Sequence, residues 1–152
     1  MILIQQEKDL LLRDLSARLD YDIKVYNASL SEIQKLYGII QDKCIMYEAY
    51  VNSELQKEYR KYGGYIPAIH HTCSIEYIKP YLRPLSSLTQ KERDKFCDIG
   101  GVINYRPTDG KQYIVAFVPE ALDYLNSIHV DYRGLIEKGL AIEVTNDNNP
   151  YK

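Results

Sequence analysis

Apolar residues recur with helical spacing near the amino-terminal end of the chain. Three leucines fall at the i, i+3 and i+7 positions of one helix face: Leu12, Leu15 and Leu19. This spacing predicts an amphipathic helix over residues 5–19, with Leu15 in the core. Two acid–base pairs at i,i+4 spacing accompany it: Asp9 with Arg13, and Asp14 with Arg18. Their order favours a helix, and we expect both pairs to lie on its solvated face.

Strand-like patterns dominate the stretch that follows. Ile23 and Val25 alternate with Lys24 and Tyr26, which predicts a short strand. Residues 31–59 fit either a helix or a β-hairpin, and the Ile, Tyr and Val content of their second half favours the hairpin. The arms of this hairpin would be residues 36–40 and 43–51. Two further elements are predicted: a short helix over 52–61 and a strand over 66–72.

Capping residues and prolines organise the second half of the chain. Thr89-x-x-Glu92 is a capping box, which predicts a helix directly after Thr89. Pro119 suits the first position of another helix, and Asp131 is a strong N-cap for a short helix over 132–138. Four other kinds of segment are predicted: a stiff, kinked, two-proline connector over 79–84, a turn-rich loop over 104–112, strands over 113–118 and 140–144, and a loose tail over 146–152.

These elements together predict an α+β fold, with a single compact domain over 1–152, a small antiparallel sheet and three to five helices. The 152 residues carry a formal net charge of -2, so a basic domain that coats nucleic-acid phosphates is not expected. No apolar run approaches the roughly 18 residues of a membrane span. Because Glu7 follows the first apolar residues with no basic segment, a signal peptide is not expected either. The predicted location is therefore cytoplasmic, with no membrane partner.

Cysteine and tyrosine usage adds two expectations. The three cysteines are widely spaced and form no C-x-x-C pair, which predicts free thiols in a reducing compartment. The chain has 15 Tyr but only two Phe and no Trp. An AT-rich genome would produce this bias, and so would a Tyr-rich binding surface, since Tyr covers contact area at low entropic cost.

Three stretches of the chain also resemble a known group of proteins. They are residues 10–25 (LLLRDLSARLDYDIKV), 74–92 (SIEYIKPYLRPLSSLTQKE) and 121–144 (ALDYLNSIHVDYRGLIEKGLAIEV). As a set they resemble a family of short uncharacterised proteins encoded by Bacteroides phages, prophages and crAss-like phages. Ser16 stands where the family usually has Cys, which argues against a catalytic thiol there. The resemblance implies a phage gene that acts inside a bacterial host, and it implies no particular chemistry.

The candidate catalytic and metal-binding residues are few. His70, His71 and Cys73 form the only compact cluster of metal-type residues. Zinc needs about four ligands, and neighbouring side chains of a strand point to opposite faces, so we expect no metal and no cofactor. A Cys–His nucleophile pair of Cys73 or Cys97 with His129 lacks any oxyanion-hole motif. The protein is therefore not expected to be an enzyme.

Three groups of tyrosines and arginines are the predicted binding residues. They are Tyr81 with Arg83, Tyr132 with Arg133, and Tyr59 with Tyr62 and Tyr65. Tyr and Arg are favoured in binding hot spots, but the two arginines could instead be internal struts. The main functional hypothesis is a non-enzymatic phage accessory protein that binds a host or phage protein, for example to inhibit a host defence system. The alternatives are a sponge for a nucleotide-like anion at the Asp131 helix start and, third, a metal-dependent hydrolase.

Overall fold

The predicted α+β class is confirmed by a computed structural model, which describes residues 2–41, 43–48 and 69–152. These residues form a six-stranded sheet, a two-stranded sheet and three α-helices, a helix number at the lower end of the expectation. The helix expected over 52–61 and the candidate residues Tyr59, Tyr62 and Tyr65 lie outside the described residues. No helix of the described part is long and apolar enough to cross a membrane.

The helices and strands follow one another along the chain with short connections. The helices are α1 (Gln5–Arg18), α2 (Gln90–Ile99) and α3 (Pro119–Ser127). The strands are β1 (Lys24–Asn27), β2 (Glu32–Ile40), β3 (Lys43–Glu48), β4 (Ile69–Ser74), β5 (Ile78–Leu82), β6 (Gly101–Tyr105), β7 (Gln112–Ala116) and β8 (Ile142–Glu143). The predicted hairpin is therefore confirmed as β2 and β3, and the predicted loop over 104–112 is shorter because β6 and β7 extend into it.

The six strands of the large sheet lie in the order β4-β3-β2-β1-β5-β8. All neighbouring pairs are antiparallel except β5 and β8, which are parallel. Helix α1 contributes Leu11 and Leu15 to a core cluster that also contains Val25, Leu36 and Ile78 from the sheet. Leu15 is fully buried, as predicted.

A second apolar cluster lies under α2, α3 and the β6–β7 sheet, where Phe96 and Leu125 are fully buried. Thr89 caps α2 through the predicted capping box, and Pro119 is the first residue of α3. Gly101 begins β6 directly beside Phe96. A Cβ atom at Gly101 would lie 2.2 Å from that ring, so only glycine fits at this position.

The connector predicted over 79–84 is wrong, because residues 78–82 form β5 in the interior of the sheet. Ala28 donates its backbone N–H to the carbonyl of Tyr77, which sets the alternation of hydrogen bonds between β1 and β5. This alternation turns the nitrogen of Pro80 away from β1. On the other side, β8 pairs with β5 only from Tyr81 onward. The missing N–H of Pro80 therefore interrupts neither ladder.

The short helix predicted over 132–138 is also wrong, because this segment consists of turns. Asp131 does act as a cap, and its carboxylate accepts from the N–H groups of Arg133, Leu135 and Ile136. A glycine closes the other end of the segment. Gly139 has a φ of 73°, and Leu140 donates its N–H to the Leu135 carbonyl. Caps at both ends of so short a segment hold it as a compact turn.

Candidate functional site

Arg83 follows β5 and ties it to the start of α2. Its guanidinium donates two hydrogen bonds of 2.8 Å to the carboxylate of Glu92 and a third, of 3.1 Å, to the Ser87 carbonyl. Glu92 also accepts the backbone N–H of Thr89 in the capping box. The bond from Arg83 is the main reason that the pKa of Glu92 falls to about 2, so this carboxylate is ionised at neutral pH. The Arg83 side chain is thus hydrogen-bonded to other residues of the fold.

Replacing Arg83 with alanine is expected to lower the free energy of unfolding by about 1–3 kcal/mol, because the half-buried Glu92 loses its charged partner. Urea denaturation measures this loss. The matched control is Lys91→Ala, an exposed cation on the same helix, which should change stability by less than about 0.5 kcal/mol. A loss no larger than the control's would contradict the strut role and restore Arg83 as a free binding residue.

The same pair gives a pH dependence. The Glu92 pKa is lower in the folded protein than its ordinary value of 4.5, so the contribution of the pair is complete above that value and is lost as the pH falls toward 2. The stability difference between the wild type and Arg83→Ala should therefore shrink across this range.

Arg133 and Tyr132 belong to a buried charge cluster with two residues of α1. Arg18 donates to both carboxylate oxygens of Asp14, at 2.9 and 3.1 Å, and to the Val130 carbonyl at 2.7 Å. Arg133 donates to the same Asp14 carboxylate at 3.0 Å. The Tyr132 ring lies beside both guanidinium groups, at 5.3 Å from Arg18 and 4.7 Å from Arg133. We call these four residues and Val130 the Asp14 cluster.

The Asp14 cluster corrects the expectation that the charges of α1 face solvent. Asp9 and Arg13 are exposed, as predicted, but the side chains of Asp14 and Arg18 are completely buried. Their i,i+4 spacing places them on the helix face that meets residues 130–133. One of the two predicted pairs is therefore an internal link between distant parts of the chain.

Backbone hydrogen bonds bring the segment that carries Tyr81 and Arg83 next to the segment that carries Tyr132 and Arg133. Arg83 donates its N–H to the His129 carbonyl at 2.7 Å, and its own carbonyl accepts from Asp131 at 2.8 Å. Tyr81 is only 6% exposed. The arginine side chains, however, bind different carboxylates, Glu92 and Asp14. Contact of these residues with a partner stays a prediction.

The turn at Asp131 does not provide the helix start that the anion-binding alternative requires. The N–H groups at this point already donate to the Asp131 carboxylate. An open cleft of about 460 Å³ lies nearby, between residues 84–86, the β6–β7 turn and residues 134–137. Lys111 and Glu137 form an ion pair at its wall, and neither Arg83 nor Arg133 lines it.

Tyr151, within the predicted loose tail, inserts its hydroxyl between two strands. The hydroxyl accepts from the Lys24 N–H at 3.2 Å and donates to the Tyr81 carbonyl at 2.7 Å. Its ring stacks on His129 with the centroids 3.7 Å apart. Looseness of the tail itself stays a prediction.

Burial, followed by the Arg18 charge, lowers the pKa of His129 to about 4, so this imidazole is neutral and far from the range of an efficient general base.

Of the candidate metal-binding and nucleophilic residues, the structure describes the side chains of Cys73, Cys97 and His129. Within the described part of the chain, no three His, Cys, Asp or Glu side chains lie close enough together to hold a metal ion. Cys97 is exposed on α2, and Cys73 lies on β4.

A surface that the sequence analysis did not single out lies on the β6–β7 sheet. Ile103, Ile114 and Ala116 pack toward the second apolar cluster. The opposite face carries Val102, Asn104, Tyr113 and Val115, and Phe117 follows directly after β7. Val102 pairs directly with Val115, and Asn104 with Tyr113. Phe117 is 72% exposed, while Phe96, the other phenylalanine, is fully buried. We call these five residues the hairpin face.

The strands that carry the hairpin face also have open edges. Among the described residues, β6 and β7 pair only with each other. Their ten residues (GVINY and QYIVA) include no charge and no proline. Natural edge strands are commonly protected by such residues, by bulges or by covering segments, because an unprotected edge pairs readily with another strand. Among the described residues, the hairpin therefore combines an apolar face with strand edges that no other strand covers.

Comparison of the chain with models of protein families, with curated proteins and with solved structures finds no match. The resemblance to the phage family stays a prediction that rests on its three sequence blocks.

Proposed function

We propose that this protein is a non-enzymatic binding protein that docks another protein through the hairpin face. The observation that carries the proposal is Phe117, a large aromatic side chain that is 72% exposed and follows directly after β7, the strand in which Val115 pairs with Val102. Aromatic residues at the centre of an apolar patch are typical anchors of protein interfaces. The exposed Tyr113 adds a second aromatic ring to the same face.

The open edges of β6 and β7 suggest how a partner would be held. A partner strand added to either edge would form backbone hydrogen bonds and would extend the apolar face sideways. Neither strand carries a charged side chain, the kind of residue that commonly opposes such an addition. The ordered α2 and α3 beneath the hairpin keep it in place, so little ordering cost accompanies binding.

The resemblance to phage-encoded proteins gives the expected class of partner, which is a host or phage protein inside the bacterial cell. Inhibition of a host defence system is one role such binding would serve. The nucleotide-like anion alternative has weaker support, because the two candidate arginines are engaged with Glu92 and Asp14 and the nearby cleft is open.

The test is affinity capture from host lysate with the wild type and a Val102→Lys/Phe117→Lys variant, followed by binding measurements with the purified captured protein. We expect the variant to bind at least about tenfold more weakly, since two anchors are replaced by charges. Ile40→Lys is the control, because it places the same charge at an exposed apolar residue of the other sheet. Melting curves check that all three proteins are folded.

Three results would contradict the proposal. Unchanged binding by the Val102→Lys/Phe117→Lys variant would exclude the hairpin face. Loss of binding in Arg133→Ala with an unchanged melting temperature would move the site to the Asp14 cluster. A wild type that dimerises through the hairpin and captures nothing else would make a second copy the partner.

A further inference from the structure

Two cysteines lie directly opposite each other on neighbouring strands of the large sheet. In the antiparallel pair of β3 and β4, Cys44 is the register partner of Cys73. Residues paired in this way have their Cα atoms about 4.5–5.5 Å apart and their side chains on the same face. A disulfide requires a Cα separation of roughly 4.4–6.8 Å. The register therefore places the two Cα atoms within the separation that a disulfide requires. Both residues are free thiols in this structure.

The two thiols have unequal environments. Cys44 is fully buried in the main core cluster, and burial, with Cys73 as a second cause, raises the pKa of its thiol to about 12. Cys73 is only partly buried, and its Sγ atom lies 3.6 Å from Asn27 Oδ1 and 3.6 Å from Ser29 Oγ. Cys73 is thus the more exposed of the two residues, and we expect a reagent from solution to react there first. Cys73 is therefore placed to attack a reagent first, and Cys44 is placed to resolve the mixed disulfide that results.

We propose that Cys44 and Cys73 form a redox modification site, which a low-molecular-weight disulfide converts to a cross-strand disulfide. In the first step the Cys73 thiolate attacks one sulfur of the reagent, forms a mixed disulfide and releases one reagent thiol. In the second step Cys44, after losing its proton, attacks the Cys73 sulfur and expels the second reagent thiol. The protein loses two hydrogens and two electrons, and the reagent disulfide is reduced to two thiols.

The bond would fasten an edge of the large sheet. Strand β4 is the terminal strand in the order, and among the described residues it pairs only with β3. A covalent link between them also closes the chain between positions 44 and 73 into a loop. Such a link stabilises the folded state chiefly by restricting the unfolded chain. The oxidised protein should therefore melt several degrees higher than the reduced protein.

The experiment uses the folded full chain with Cys97→Ser, which leaves only these two thiols. The protein is incubated with oxidised glutathione and then examined by intact-mass measurement, peptide mapping and melting curves. We expect a mass decrease of two hydrogens, a cross-linked peptide that joins Cys44 to Cys73, and a higher melting temperature. Dithiothreitol should reverse all three changes.

Two double variants test the order of attack. Cys44→Ala/Cys97→Ser should retain glutathione on Cys73, whereas Cys73→Ala/Cys97→Ser should stay unmodified because Cys44 is buried. The proposal is overturned if the Cys97→Ser protein keeps a stable glutathione adduct on Cys73, does not react, or links two chains. It is also overturned if the internal bond forms only in urea, because the folded register would then play no part.

Discussion

Replacing Asp14 with alanine is expected to lower the free energy of unfolding by about 3–5 kcal/mol, which is typical when one partner of a buried ion pair is removed. The Arg18 side chain is completely buried and, among the described residues, would keep only the Val130 carbonyl as a hydrogen-bond acceptor. Within the same residues its Nη1 atom already has no hydrogen-bond partner. Arg133 would lose the same carboxylate. The variant would therefore hold an uncompensated positive charge inside the protein.

Urea denaturation at neutral pH measures this loss as a lower transition midpoint. Asp9→Ala is the matched control, because Asp9 lies on the same helix but is exposed, and it should change stability by less than about 0.5 kcal/mol. A second variant, Asp14→Leu/Arg18→Met, removes both charges and should recover much of the loss. Equal midpoints for Asp14→Ala and Asp9→Ala would show that the Asp14 cluster is not a stabilising link.

Leu15→Ala is expected to cost about 2–5 kcal/mol, because it leaves a cavity where a fully buried side chain packs between α1 and the sheet. Chemical denaturation again gives the measurement. Leu12→Ala makes the same chemical change one turn away at a half-buried position, so its loss should be clearly smaller. A larger loss for Leu12→Ala would mean that α1 is rotated about its axis relative to this structure.

Elements with a strong local signal could be predicted from the sequence. The spacing of Leu12, Leu15 and Leu19 is a property of the helix itself, and so is the capping box of Thr89 and Glu92. Each signal acts within one or two turns of the chain, and tertiary contacts support rather than oppose it. For this reason α1, α2 and α3 could be predicted, with small errors at their ends, whereas residues 31–59 fit a helix as well as the hairpin that β2 and β3 form.

The elements that could not be predicted depend on distant partners. An i,i+4 pair such as Asp14 and Arg18 looks the same in sequence whether it is exposed or buried. Its burial is decided by Val130, which lies 112 residues away from Arg18. Likewise, Pro80 is compatible with an interior strand only because β8 begins its pairing one residue later. The two prolines, taken without these pairing partners, therefore predict a connector over 79–84.

The sequence pattern of the hairpin face is weaker, because it also fits a buried strand. The run from Tyr113 to Phe117 is apolar at every position, a pattern typical of a strand buried on both faces. In a sheet of only two strands, one face packs on the core and the other remains open to solvent. Because only one face of such a hairpin packs on the core, a strand that is apolar at every position must expose some of its apolar side chains.

The Asp14 cluster also sets when this chain can fold during its synthesis. Arg133 lies 119 residues after Asp14, which corresponds to about 6–24 s of translation at roughly 5–20 residues per second. During that interval Asp14 and Arg18 lack residues 130–133, which bind them in the folded protein. Closure of the Asp14 cluster therefore waits until residues 130–133 have been synthesised.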